Sequence, residues 1–173
     1  MDLFKYTAHE LHEKLVNKEI TAVELTNAVY DRIAAVDEQV NAYISLSKEE
    51  ALAKAAEVDA KIAAGEAIAP LAGIPVVFKD NINIYGQVTS CASKMLQGVE
   101  TVFDAHVTEE LRKEDAVFLG KANMAEFSIG NTTDNSFNGV VHNPWNLNCT
   151  TGGCATAAAV AAGEAIWALA SDT

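Results

Sequence analysis

The chain has 173 residues, and half of them are hydrophobic while 21% are charged. This composition is typical of a soluble globular domain with its own core, and it excludes a disordered or low-complexity chain. The net charge of −12 at pH 7 repels phosphate backbones, which argues against direct binding of nucleic acid by this chain.

Targeting, membrane and metal-binding signals are not expected. Residues 1–5 lack a basic region followed by an apolar stretch, so no signal peptide is predicted. The most apolar segment, 155–170, is interrupted by a glycine and a glutamate and is too short to span a bilayer. The cysteines have neither metal-ligand spacing nor the pattern of a disulfide framework, which favours a reducing, cytoplasmic setting without a metal. They are Cys91, Cys149 and Cys154.

The first third of the chain has a helical pattern. Three capping boxes, each a Thr or Ser followed three residues later by Glu, precede apolar residues at helical spacing. The boxes are Thr7 with Glu10, Thr21 with Glu24, and Ser47 with Glu50. Residues 1–66 are therefore predicted to form a helical region, whose third helix ends at Gly65.

The pattern changes after Pro70 to that of an α/β core over residues 67–173. Short apolar runs at 74–78 and 116–119 predict buried strands, and a last strand is predicted at 166–170. Between the strands we expect a helix from Asp104 to about Lys113, a short helix at 123–127, a loop at 128–151 and a helix at 155–163. Strands that alternate with helices indicate a layered α/β fold with a largely buried sheet.

Lys79 is the first candidate for chemistry. It directly follows the apolar run 74–78 and precedes Asp80. Loss of hydration at the mouth of a buried strand favours the neutral amine, which can act as a general base. The alternative is that Lys79 marks the strand end and pairs with Asp80 or another carboxylate, and position alone favours this simpler interpretation.

The second candidate is the segment 150–156, Thr-Thr-Gly-Gly-Cys-Ala-Thr, directly before an alanine-rich helix. Small residues there let backbone N–H groups converge on an anion or a developing oxyanion, with the Cys154 thiol near the positive end of the helix dipole. A helix cap with glycines packed on the sheet is the alternative. A dyad of Cys154 with His106 or His142 is a further possibility, although neither histidine lies in a recognisable catalytic setting.

Segments in a fixed order along the whole chain resemble the amidase-signature family, and within it the A subunit of glutamyl-tRNA(Gln) and aspartyl-tRNA(Asn) amidotransferases. The segments are 71–81, 91–96, 119–127, 135–139, 142–145, 152–163 and 170–173. The resemblance implies a single-domain α/β amidase-signature-like layered fold, a mixed sheet covered by helices with a helical amino-terminal region. It also implies that this fold is incomplete at the carboxyl end.

The resemblance also implies roles for particular residues. In that family a lysine deprotonates a bridging serine, which activates a nucleophilic serine for acyl transfer. Lys79 takes the lysine role, and Cys154 stands where the bridging serine is expected, with two residues fewer before Thr156. The family's nucleophile follows a Ser-Asp-Thr segment that is here 171–173, so the chain alone is expected to be inactive. Ile129 and Gly130 are candidate substrate-binding residues.

The implied function is that of the amino-terminal part of one amidotransferase polypeptide. Its intact form would hydrolyse glutamine and pass ammonia to a partner that amidates misacylated tRNA. Two other subunits are the implied partners; one of them would use ATP and Mg²⁺, and tRNA would be contacted only through the complex. The alternatives are a fragment of a stand-alone amidase that acts on small amides, and a non-catalytic remnant that keeps a partner-binding surface.

Overall fold

The computed structural model describes residues 2–172. The helices of this part of the chain are α1 (Ala8–Val16), α2 (Ala22–Val40), α3 (Lys48–Ala64), α4 (His106–Lys113) and α5 (Thr156–Ala162). The strands are β1 (Tyr43–Leu46), β2 (Pro75–Lys79), β3 (Val117–Ala122), β4 (His142–Asn143), β5 (Asn146–Thr150) and β6 (Trp167–Leu169). Short 3-10 turns lie at Leu3–Lys5, Lys94–Leu96 and Glu126–Ser128.

Two of the three predicted capping boxes form. The side chains of Thr7 and Thr21 each accept a hydrogen bond from the backbone N–H three residues on, and the glutamate at that position accepts one from the backbone N–H of the threonine. The box predicted at Ser47 is wrong. Its backbone has φ −113° and ψ 51°, its hydroxyl makes no cap, and its Oγ accepts a hydrogen bond from Gln87 at 2.9 Å instead. Helix α3 still ends at Gly65 in the left-handed conformation, as predicted.

The main sheet is mixed, in the order β1-β3-β2-β6. Strand β2 pairs in parallel with β3 and with β6, and β1 pairs antiparallel with β3. Strand β1 lies in the region predicted to be helical. The sequence did not reveal it, because four residues are too short for a recognisable strand pattern and this strand depends on its pairing with β3. A Cβ at Gly120 would overlap the carbonyl of Ser45, so this pairing depends on a glycine in β3. Strand β3 continues through Gly120 to Ala122, whereas the sequence pattern predicted that this strand would end at Gly120.

The sheet has apolar side chains on both faces. Val77 belongs to the larger cluster with the helices α1, α2, α3 and α5, while its neighbours Val76 and Phe78 belong to a second cluster on the opposite face. The rings of Phe78 and Phe118 meet edge to face, with centroids 4.7 Å apart. A strand buried on both faces carries the continuous apolar run from which β2 was predicted.

Three other predicted elements differ from the observed ones in their bounds or type. Helix α4 begins at His106 without a cap from Asp104, whose carboxylate instead accepts from the Tyr85 backbone N–H and from Arg112, both at 2.7 Å. The predicted loop 128–151 contains the antiparallel pair β4–β5, in which β5 is exposed and β4 is half-buried. The predicted helix 123–127 is only the 3-10 turn Glu126–Ser128, in which Phe127 has a left-handed backbone.

Candidate active site

An open cavity of about 540 Å³ lies where strands β2 and β6 end. The carboxyl ends of parallel strands lie at one edge of a sheet, which is where open α/β sheets bind ligands. All four site residues predicted from the sequence line this cavity: Lys79 at the end of β2, Ile129 and Gly130 in the loop after the 3-10 turn, and Cys154 in the glycine-rich loop. Ser171 lines it from the segment after β6.

Lys79 is almost wholly buried, with 3% of its surface exposed. Its Nζ donates to the carbonyl oxygen of Ser171 at 2.9 Å and to Ser171 Oγ at 3.0 Å. The simpler interpretation, a pair between Lys79 and Asp80, does not describe the structure, because Asp80 binds another lysine. The partners of Lys79 are thus a carbonyl and a hydroxyl.

Asn81 completes this arrangement. Its Nδ2 donates to Ser171 Oγ at 2.8 Å, and it lies 3.4 Å from Ser128 Oγ. Sequence reasoning placed Ser171 only inside a family segment and gave it no role. The available signal was that this segment follows the strand predicted at 166–170, just as Lys79 follows the strand predicted at 74–78. Thr173, the last residue of the segment, lies outside the described residues.

Behind the cavity, Asp80 forms a buried ion pair with Lys121, with 3.4 Å between Oδ1 and Nζ. The other carboxylate oxygen of Asp80 accepts from the N–H and hydroxyl of Ser90 and from the N–H of Ala92. Burial lowers the pKa of Lys121 from its ordinary value, and the Asp80 carboxylate offsets part of this lowering. This pair fixes the turn at 90–92 beside the strand that positions Lys79.

The glycine-rich loop packs against the segment that carries Ile129 and Gly130. The backbone N–H of Ala125 donates to the Gly153 carbonyl at 2.9 Å, which binds this loop to the start of the 3-10 turn. A Cβ at Gly153 would lie 2.7 Å from the carbonyl oxygen of Gly130, so this close approach requires glycine.

The Cys154 thiol does not contact Lys79, as the role given to it by the family resemblance would require. Its Sγ lies 2.9 Å from Thr156 Oγ1, in the first turn of α5. Across residues 2–172, no hydrogen bond joins Cys154 to Lys79, although both line the cavity. The glycine-rich loop thus places Cys154 at the cavity without a hydrogen bond to Lys79 in the described residues.

Neither histidine of the proposed dyad lines the cavity. His106 is exposed at the start of α4 near Glu109 and Glu110, and His142 Nδ1 lies 2.8 Å from the Leu147 carbonyl oxygen in the β4–β5 hairpin. In the described part of the chain, no group of three or more His, Cys, Asp or Glu side chains is arranged to hold a metal ion. Among the helices of residues 2–172, none combines the length and the apolarity needed to cross a bilayer.

A layered mixed sheet with a buried lysine beside a glycine-rich loop is the arrangement that the sequence motifs predicted. The model of the amidase family matches residues 24–173. The chain therefore belongs to the amidase family, and the predicted family and fold class are confirmed.

Among curated proteins, the chain is similar to the A subunit of the glutamyl-tRNA(Gln) amidotransferase from Desulforamulus reducens. The two are 50% identical over 175 aligned residues, which cover 100% of this chain and 36% of that protein. The corresponding protein from Clostridium botulinum is likewise 50% identical over the same shares. The chain thus spans about a third of the length of the curated relatives it matches.

A solved structure shares this architecture. The peptide amidase from Stenotrophomonas maltophilia superposes with a TM-score of 0.84 at 34% identity, covering 93% of this chain and 35% of that chain. The match again involves about a third of the other protein.

Proposed function

We propose that this chain is the amino-terminal part of the A subunit of a glutamyl-tRNA(Gln) amidotransferase, whose intact form hydrolyses glutamine to supply ammonia for amidating misacylated tRNA. The observation that carries the proposal is 50% identity to such a protein over the whole chain. The buried Lys79 at an open cavity supports it, because acyl transfer from an amide needs a base at the site.

In the intact protein, these 173 residues would supply the base and the floor of the site. Lys79 accepts the proton, and the glycine-rich loop at 152–154 brings backbone groups to the cavity. The nucleophile would come from the further sequence that the longer relatives carry. The 173-residue chain alone is expected not to turn over glutamine.

The partners of this function are two other amidotransferase subunits in the cytoplasm. ATP and Mg²⁺ would be used by one of these partners, and tRNA would be contacted only through the complex. The net charge of −12 supports this division, because an acidic surface repels the phosphates of tRNA.

Two other functions have specific support. A stand-alone amidase acting on small amides is supported by the 34% identity to a peptide amidase of similar fold. A non-catalytic remnant that binds the family's partners is supported by the position of the Cys154 thiol, which contacts Thr156 rather than Lys79. The substrate and the partner dependence of hydrolysis separate these possibilities.

The test is ammonia release from glutamine, comparing the 173-residue chain with a version extended by the remaining sequence of the Desulforamulus reducens relative. Both are assayed with and without the other two subunits. Activity only in the extended version supports the proposal. Hydrolysis of small amides without use of glutamine would favour the stand-alone amidase. A folded extended version that binds the partners but hydrolyses neither substrate would favour the remnant.

A further inference from the structure

Glu164 is an ionisable group in the core that the proposed function does not use. Its side chain is 0% exposed, and neither carboxyl oxygen has a hydrogen-bond partner among residues 2–172. It follows Gly163, the left-handed residue that ends helix α5, and it precedes strand β6. A buried polar group without a partner is costly, and a buried charge without one costs far more. The interior therefore strongly favours the neutral acid over the carboxylate.

The elements packed against Glu164 bond to the backbone of its segment rather than to its carboxyl group. Tyr43 in β1 donates its hydroxyl to the Glu164 carbonyl oxygen at 2.8 Å, and Arg32 in α2 donates Nε to the Ala162 carbonyl oxygen at 2.7 Å. Asp37, also in α2, is a second carboxyl group near Glu164 and disfavours a negative charge there. Burial raises the pKa of Tyr43 well above its ordinary value, so this phenol is neutral. These contacts hold α5 and β6 in place only while Glu164 keeps its proton.

We propose that Glu164 is a protonation latch, which holds α5 and β6 against α2 and β1 as the neutral acid and opens this segment locally when it loses its proton. The segment 156–169 joins the glycine-rich loop at one end to the residues that lead to Ser171 at the other, and both ends line the cavity. Opening of the latch therefore loosens two walls of the cavity. The latch is a property of this chain and is independent of glutamine hydrolysis.

The segment that carries the latch is held mainly by packing. Helix α5 has seven residues, and Ala155 at its start provides no side-chain cap. An isolated helix of this length is not stable in water. Strand β6 has three half-buried residues and pairs with β2 at one end of the sheet that residues 2–172 form. Short peripheral elements open at lower free energy than central strands, so ionisation of Glu164 affects this segment first.

The size of the pH effect follows from the two protonation equilibria of Glu164. Burial, assisted by Asp37 and opposed by Arg32, raises the pKa of Glu164 to about 8 in the closed form. In the open form the side chain is solvated, and its pKa returns to the ordinary value of 4.5. The open form therefore binds fewer protons between these values, and the ratio of open to closed molecules should rise by about 10²-fold between pH 6 and pH 9.

Native-state hydrogen exchange of the 173-residue chain measures this opening at single amides, under conditions where the open segment recloses faster than it exchanges. The Gly163 amide donates to the Val160 carbonyl oxygen at 3.1 Å, and the Ala155 amide, beside the glycine-rich loop, donates to the Asn123 carbonyl oxygen at 2.9 Å. Each rate is divided by the rate in Glu164→Gln at the same pH, which cancels the intrinsic pH dependence of exchange. We expect this quotient to rise by about 10²-fold from pH 6 to pH 9 at both amides.

Low concentrations of urea separate local opening from global unfolding. Global unfolding exposes the whole core and responds strongly to urea, whereas the opening of one short segment responds weakly. The Val117 amide, which donates to the Ile74 carbonyl oxygen beside the central strands, reports global unfolding. Gly163 and Ala155 should exchange faster than Val117 and with a weaker urea dependence. Equal rates and equal urea dependence at the three amides would overturn the latch, because Glu164 would then affect global stability alone.

Two further variants test whether the pH effect belongs to Glu164. Glu164→Met cannot ionise and should give the same pH-independent opening as Glu164→Gln, even if the amide packs poorly. Glu13→Gln removes a glutamate of α1 whose side chain is 63% exposed, and its exchange should match that of the parent chain at every pH. Far-ultraviolet circular dichroism verifies that each variant is folded.

Two other outcomes would overturn the proposal. A quotient that does not change with pH would remove Glu164 as the titrating group. A rise at Gly163 without a rise at Ala155 would show that the opening does not reach the glycine-rich loop and the cavity.

Discussion

Two lysines, Lys79 and Lys121, lie on neighbouring parallel strands and are both almost wholly buried, yet their surroundings differ. Lys121 pairs with Phe78 in the β2–β3 register, one position from Lys79, and it is 0% exposed against 3% for Lys79. Lys121 neutralises the buried Asp80 carboxylate, whereas Lys79 contacts the carbonyl and hydroxyl of Ser171 at the edge of a cavity. Burial by itself therefore does not determine whether a lysine pairs with a carboxylate or faces a cavity.

The difference follows from where each side chain ends. The Lys121 ammonium has a full set of acceptors, because Asp80, the Ile82 carbonyl at 2.7 Å and Thr89 Oγ1 at 2.9 Å surround it. Such a group stabilises the fold and is closed to substrate. The Lys79 amine, by contrast, lies at a cavity and contacts the hydroxyl of Ser171. The comparison predicts that one lysine matters for activity and the other for stability.

The largest expected effect is the loss of activity in Lys79→Ala. In the extended version, glutaminase activity should fall by about 10³-fold or more, because removing a general base costs 10²–10⁴-fold. Steady-state ammonia release measures it. Lys113→Ala, on the exposed face of α4, is the matched control and should keep the parent activity. Equal losses in both variants would contradict the assignment of Lys79 as the base of the site.

The next effect is on stability, in Lys121→Met. Removal of this ammonium leaves the Asp80 carboxylate buried without its counter-charge, so the free energy of unfolding should fall by about 3–5 kcal/mol. Urea denaturation of the 173-residue chain measures it. The double variant Asp80→Asn with Lys121→Met should recover part of the loss, because no unpaired charge remains. A double variant no more stable than Lys121→Met would contradict this account.

Glu164 extends the comparison to a buried acid that forms no ion pair within the described residues. It is 0% exposed, and among the described residues neither carboxyl oxygen has a hydrogen-bond partner. Burial, with a smaller contribution from the nearby Asp37, raises the pKa of Glu164 to about 8, while Arg32 opposes the shift. The folded protein therefore holds this proton over a pH range in which the unfolded chain, with the ordinary value near 4.5, has lost it.

Because the folded state holds this proton more tightly, the Glu164 contribution to stability decreases as pH rises. Between pH 4.5 and 8 the native state binds more protons at Glu164 than the unfolded state, so its contribution to stability is complete below pH 4.5 and is lost as pH rises through 8. Glu164→Gln should thus be more stable than the parent chain at pH 8, by about 4 kcal/mol, and most of this gain should be absent at pH 5. Urea midpoints at both pH values test this, and a gain that does not depend on pH would contradict it.

The smallest effect is expected at a lysine on the surface. Lys61 contacts Asp115 at 2.5 Å with 40% of its side chain exposed. Solvent screening limits such a pair, so Lys61→Met should cost less than about 1 kcal/mol, and the cost should shrink in 0.5 M salt. Urea denaturation at low and high salt measures both. A cost as large as that of Lys121→Met would show that burial does not distinguish the two pairs.

The sequence by itself determined the features that depend on local pattern. The features readable from local pattern were the capping boxes at Thr7 and Thr21, the buried strand that precedes Lys79, the alanine-rich helix and the order of the family segments. Neighbouring residues encode helix starts and strand periodicity. The same segments were sufficient to predict the family and the mixed α/β fold, and they predicted residues that line one cavity.

Tertiary structure decided the features that depend on contacts distant in sequence. Strand β1 exists because it pairs with β3, some 75 residues away, and the Ser47 hydroxyl bonds Gln87 instead of capping a helix. The partner of Lys79 is 92 residues distant, and no local pattern assigns Ser171 to it. Buried donors and acceptors take the partners that the packed chain brings within reach, since an unpaired polar group in the core is costly. For that reason the sequence identified the lysine, and only the fold identified the hydroxyl beside it.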